Sequence, residues 1–168
     1  MAFVKMSPKE MPDNIFEMIQ DRWLLVTGGT AEYCNPMTAA WASMGVFWKE
    51  YVITAYLRPQ RYTCKMLDEN EYFSVCVLPE EYRSVLNYCG RVSGADEDKG
   101  KNCGLTIKTA ECGAPYFEES DIVFICKKLY TQQMDPAGIC DHSIDVHYAA
   151  KDYHRMFWGG IVELYKKA

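Results

Sequence analysis

The sequence predicts a mainly β fold, a small barrel of antiparallel strands with helices on its outside. Three observations carry this. Runs of strand-like composition predominate along the chain, two short helical runs fall between them, and no internal repeat is present. At 168 residues with 49% hydrophobic content, the chain reads as one domain, residues 1–168, long enough to bury a real core.

Residues 23–27 (WLLVT) form the first strand, ending at Gly28 and Gly29, and a turn leads into residues 35–41, so the two make a hairpin. Residues 51–57 (YVITAYL) read as a buried strand by their β-branched and aromatic content, and Pro59, which lacks a ladder donor, ends it. Thr63 is a good N-cap for a helix over residues 64–70, which Asn70 stops in a left-handed conformation. Residues 72–78 alternate, with Phe73, Val75 and Val77 on one face and Ser74, Cys76 and Leu78 on the other. Pro79, Glu80 and Glu81 open a second helix, whose stripe of Tyr82, Val85, Leu86 and Cys89 faces the core and which Gly90 closes. Residues 91–104, Gly-rich and charged, are expected to be a surface loop. Residues 122–130 and 156–165 supply the last strands, joined by a Pro- and Gly-bearing connection around residues 135–145. Gly159 and Gly160 imply a bulge or a close backbone approach.

A net charge of −5 argues against nucleic acid as the main partner, because phosphate-backbone binding needs a basic face. Residues 1–16 lack the uninterrupted apolar run of a signal peptide, and no run approaches membrane-spanning length, so a cytoplasmic location is expected. The eight cysteines contain no CxxC pair, which argues against zinc or a disulfide framework. Cys76, Cys89 and Cys126 read as small core hydrophobes, and Cys34, Cys103 and Cys112 fall in loop-like segments where a redox role stays open. His142 and His147 come together only if their segment is helical, and without a third ligand no metal is expected. His154 reads as a structural hydrogen-bonding residue.

The charges around Thr63 are unusual. Arg58, Arg61 and Lys65 crowd the start of the helix, while Asp68 and Glu69 lie late, the reverse of what the helix dipole favours. That pattern either welcomes an outside anion, such as a phosphate on the first-turn amides and guanidinium forks, or is a solvated basic edge.

Four motifs occur in one order: Asn35-Pro36-Met37-Thr38-Ala39 with Trp41; Arg58-Pro59-Gln60-Arg61-Tyr62-Thr63; Asn87-Tyr88-Cys89-Gly90 with Ser93, Gly94, Asp98 and Lys99; and Asp152-Tyr153-His154-Arg155-Met156 with Gly159 and Ile161. Together, over residues 23–165, they resemble the flavin reductase-like family of FMN-binding split-barrel proteins. The resemblance implies a split β-barrel homodimer that binds FMN near the subunit interface. It further implies reduction by NADH or NADPH, or electron exchange with a partner protein. It carries over Asn35, Met37, Thr38, Ala39 and Trp41 as flavin contacts, and Arg58, Arg61, Tyr62 and Thr63 as the phosphate site. Ser93 and Lys99 come over as a further cofactor contact and cation, with a plain surface lysine the other reading of Lys99. The chain departs from the pattern at Ala95, Gly100 and Gly160. No catalytic side chain is implied, because the flavin itself carries the hydride. Three functions follow from the resemblance: an NAD(P)H-dependent flavin reductase, a flavoredoxin-like electron carrier, or an FMN-binding module without turnover.

Overall fold

Alternation along a single strand divides the interior in two. In the computed structural model, which describes residues 2–168, the strand Tyr72–Val77 is buried on both faces beyond Tyr72. Phe73, Val75 and Val77 enter the barrel interior with Leu24, Val26, Ile53, Leu57, Phe124 and Phe157. Cys76, followed by Leu78, turns outward into a second cluster with Leu86, Cys89, Phe117 and Ile125. Ser74, on that outward face and fully buried, donates to the Pro115 carbonyl at 2.6 Å, which satisfies its hydroxyl.

The strands are β1 (Phe3–Lys5), β2 (Leu24–Gly29), β3 (Cys34–Ala39), β4 (Ala42–Phe47), β5 (Glu50–Leu57), β6 (Tyr72–Val77), β7 (Ile107–Thr109), β8 (Pro115–Phe117), β9 (Ile122–Gln133) and β10 (Arg155–Lys167). The main sheet runs β3-β2-β6-β9-β10-β5-β4, with β1 on the far half of β10, and β7 pairs β8 separately. All pairs are antiparallel. The two ends of the path, β3 and β4, are consecutive in the chain and meet at Ala40 and Trp41, so the barrel is split at that point.

The helices are α1 (Ile15–Glu17), continued by a π-helical turn Met18–Arg22; α2 (Tyr62–Glu69); α3 (Arg83–Arg91), preceded by a 3-10 turn Glu80–Tyr82; and α4 (Lys99–Asn102). Helix α2 lies on β2 at Gly28, where a Cβ would come 2.6 Å from Leu67 and 2.9 Å from Met66. No helix among the described residues is long and apolar enough to cross a membrane.

Several expectations need correction. Helix α2 begins two residues early, at Tyr62 with Arg61 as N-cap, so Thr63 is not the cap. Asn70 is extended (φ −120°, ψ 142°) rather than left-handed; its amide closes the helix by donating to the Met66 carbonyl at 2.8 Å. Gly90 lies inside α3, which ends before Val92. The charged loop of residues 91–104 contains α4, capped by the Asp98 carboxylate on the Lys101 amide. Cys34 belongs to β3, not to a loop. The expected irregularity at the glycine pair is present as a register shift between Trp158 and Gly159.

Candidate functional site

The split places an open cavity of about 240 Å³ beside the β3–β4 junction. Its wall is formed by Met37, Thr38, Ala39, Ala40 and Trp41, with Tyr56, Arg58, Arg61, Gly90 and His154 around it. The Thr38 hydroxyl donates away from the cavity to the Leu86 carbonyl at 2.5 Å, which ties β3 to α3. Trp41 remains exposed and packs edge-on against His147 (5.2 Å) and tilted against His154 (5.1 Å).

Three helix ends converge on one carbonyl beside this cavity. Arg61, at the start of α2, donates to the Cys89 carbonyl at 3.2 Å, and Lys99 of α4 donates to the same oxygen at 3.2 Å. Cys89 lies in the last turn of α3, where carbonyls lack intrahelical partners and carry the negative end of the helix dipole. One dipole end does not neutralise two full cations, and neither Arg61 nor Lys99 meets a carboxylate among the described residues. Lys99 is only 2% exposed. Burial, with help from the Arg61 charge, pushes its ammonium down to about 8, and burial also lowers Arg61. The surface-lysine reading of Lys99 is thereby excluded.

Asn35 and Thr63, both buried, bond to each other and tie β3 to the first turn of α2. Asn35 is buried, and its amide donates to the Thr63 hydroxyl at 2.7 Å, leaving that hydroxyl its own proton to donate. The Asn35 oxygen fits against Gly94 so closely that a Cβ there would stand 1.8 Å away, so only glycine lets the loop bearing Lys99 approach β3.

The sequence-derived residues thus separate into groups. Met37, Thr38, Ala39, Trp41, Arg58 and Arg61 line the cavity; Lys99 shares the Cys89 carbonyl with Arg61; Asn35 and Thr63 pair with each other between β3 and α2. Tyr62 turns to the Tyr33 hydroxyl, and Ser93 is an exposed residue that caps its own turn through the Ala95 amide, so neither lies on the cavity wall. Arg58 is committed to the connection between β9 and β10: it pairs with Asp152 at 2.5 Å, donates to the His147 carbonyl at 2.9 Å and lies over the Tyr148 ring. Asp68 and Glu69 pair with Arg155 and Lys65 and so stay clear of the start of α2.

Three wall residues escaped the sequence reading of the site, Tyr56, Gly90 and His154. The signal for Tyr56 was its place near the end of a strand leading to Arg58. His154 does make a structural hydrogen bond, between Nδ1 and the Tyr148 hydroxyl at 2.9 Å. Burial and then the Arg58 charge lower its imidazole to about 4, against a weaker pull from Asp152, so it is neutral at pH 7. The segment holding His142 and His147 is 3-10 helical, but His142 pairs with Asp145 and His147 packs on Trp41. No cluster of three or more metal-ligating side chains occurs among the described residues.

A split barrel that sets the buried Lys99 and the half-buried Arg61 beside an open cavity is an arrangement whose charge suits an anion at a strand edge. The sequence profile of the flavin reductase like domain matches residues 19–166, and the chain belongs to that family. Among solved structures, it is similar to flavoredoxin of Desulfovibrio vulgaris (Miyazaki F), at 23% identity over 98% of this chain and 77% of that one, with a TM-score of 0.69. It is similar to an FMN-binding protein from Thermus thermophilus, solved with p-hydroxybenzaldehyde, at 18% identity over 96% and 80% of the two chains, with a TM-score of 0.71. An NADH:FAD oxidoreductase from Streptomyces globisporus, in complex with NAD and FAD fragments, matches at 16% identity over 86% and 74%, with a TM-score of 0.64. These likenesses are of fold. No curated protein matches the chain in sequence.

Proposed function

We propose that the protein binds FMN and works as an NAD(P)H-dependent flavin reductase. One observation carries the reading: Lys99, buried, and Arg61, half-buried, converge on the Cys89 carbonyl and lack a carboxylate, at the edge of a cavity walled by strand backbone. Burying two cations together is costly unless an anion joins them, and a phosphate supplies the charge and the acceptors that both lack. Thr63 and the start of α2 add donors to the same anion. The ring system lies along Met37–Trp41, where small side chains at Ala39 and Ala40 leave backbone groups within reach, and Trp41, Tyr56 and neutral His154 wall it from water. FMN, when bound, supplies the hydride chemistry, so the chain's own work is to hold, orient and shield it. NADH or NADPH as the reductant is supported by the fold shared with the Streptomyces oxidoreductase, which was solved with NAD fragments. The unit is a homodimer, and an aromatic face formed by Phe47, Trp48, Tyr130 and Trp158 supports this.

Titration of the flavin-free protein tests the cofactor, with FMN binding more tightly than riboflavin; equal affinities would refute the phosphate site. Anaerobic mixing of the FMN-loaded protein with each nicotinamide tests the reaction. The flavin bleaches at a rate that saturates with NADH or NADPH. Bleaching no faster than that of free FMN, combined with rapid reoxidation by a partner protein, replaces the reductase by an electron carrier.

A further inference from the structure

A second cavity, of about 540 Å³, adjoins the first across the split and shares Ala40, Trp41 and Tyr56 with it. Its volume falls in the range of small-molecule sites. The opposite wall comes from Ile15, Phe16 and Ile19, where α1 runs into its π-helical turn, a distortion that recurs at functional sites. Phe16 is 82% exposed at the rim, and Met44 of β4 completes the apolar lining.

The chemistry of the two cavities differs. The first is lined by two arginines and a histidine, whereas no residue lining the second is charged. Of the polar groups in the second wall, the hydroxyls of Ser43 and Tyr56 bond each other at 2.9 Å, which uses one of their two protons and leaves the other able to donate. Gln20, exposed at the rim, adds an amide, and Trp41 an indole N–H, that are also able to donate to a ligand. A carboxylate or a pyrophosphate placed here would lose part of its water without gaining a cation, which disfavours it against a neutral ligand of the same shape. We infer that this second cavity is a binding site for a neutral, apolar molecule of about two rings that carries a carbonyl group. That such a molecule would lie beside a flavin rests on the reading above; the cavity's selectivity for it does not.

Ligand-observed NMR on the flavin-free full-length protein tests this with 2-acetonaphthone, a neutral two-ring ketone, and 2-naphthoate, its anionic counterpart of the same shape. The ketone binds saturably and at least tenfold more tightly than the carboxylate. Phe16→Lys, at an exposed position that does not threaten folding, weakens the ketone at least fivefold and strengthens the carboxylate. Gln20→Leu weakens the ketone but not naphthalene. Equal binding of ketone and carboxylate, no saturable binding, or indifference to Phe16→Lys overturns the inference. So does loss of ketone binding as protein concentration rises, which would show that a second copy of the chain fills the cavity. FMN titration of the same samples separates the two readings: FMN binding without ketone binding sinks this inference alone, and ketone binding without FMN binding sinks the flavin reading alone.

Discussion

An ammonium group held out of water, as Lys99 is, carries a desolvation cost that a bound anion would offset. Its pKa of about 8 means that near neutral pH it is still mostly protonated, and a phosphate dianion beside it would raise that value. The sign follows from linkage. Below pH 8 the cation is present before binding, and above pH 8 a proton must be taken up when the phosphate binds. FMN affinity is therefore expected to be flat from pH 7 to about 8 and then to fall, by at most about tenfold per unit. Lys99→Met should weaken binding at pH 7 and flatten the decline, which fluorescence titration from pH 7 to 9 would show; an unchanged slope in the variant removes Lys99 from the site. Arg61 acts beside it through a guanidinium that does not deprotonate in this range. Arg61→Ala should narrow the gap between FMN and riboflavin by about 1.5–3 kcal/mol, the worth of one charged hydrogen bond, without adding any pH slope. An unchanged gap would argue that Lys99 alone holds the phosphate.

Among the elements, the connection between β9 and β10 does the most that the chain order conceals. Through Arg58, Asp152, Tyr148 and His154 it folds back against the cavity, and it carries His147 onto Trp41. His154 is held neutral there, with a pKa near 4 against an ordinary value of 6.5. Because the unfolded chain takes up the proton first, the stability His154 gives is complete above pH 6.5 and is lost as pH falls toward 4. Urea unfolding of the flavin-free protein at pH 7 and pH 4.5 should show a smaller acid loss in His154→Gln than in the parent chain; parallel losses would place the acid sensitivity elsewhere. The same connection marks the limit of what the sequence discloses. β5, β6, β9 and β10 are legible because a β-branched or aromatic run bounded by turn residues has one good solution. β4 (ASMGVF) was missed because Gly45 and small residues dilute its pattern, and β1, β7 and β8 because three residues carry no period. α4 was hidden in a glycine-rich charged stretch, and with it the burial of Lys99, since a charge run reads as solvated until something else is known to cover it. The basic cluster was legible as a group. Its division was not: Arg61 turns to Cys89 while Arg58 turns to Asp152, and no local rule pairs residues so far apart in the chain.

At the scale of the whole molecule, the outer face of β4, β5, β9 and β10 carries an unusual concentration of aromatic rings. Phe47 and Trp48 lie 4.1 Å apart between ring centroids at a tilt of 41°, Trp158 lies 4.9 Å from Phe47 and 5.5 Å from Trp48, and Tyr130 closes the group. Trp48 is 52% exposed and Phe47 44%, and the indole N–H of Trp158 has no partner among the described residues. The turn that presents them is strained. Trp48 and Lys49 both have positive φ, 54° and 64°, the backbone of a two-residue hairpin turn that favours Asn-Gly, and each side chain there costs about 1–2 kcal/mol. Strain at an exposed aromatic residue suggests that the ring is placed for something other than the fold of one chain. A second copy packing on this face would bury the rings and account for it, as the proposed homodimer requires. Two substitutions separate the strain from the contact. Lys49→Gly relieves the turn, so it should raise thermal stability, by about 1 kcal/mol, and leave the dimer intact. Trp48→Asn suits the turn at least as well but removes the largest exposed ring, and sedimentation velocity at micromolar concentration should show it shifted to monomer while the parent chain and Lys49→Gly sediment as dimers. A parent chain that is monomeric, or a Trp48→Asn variant as dimeric as its parent, would remove this face from the assembly.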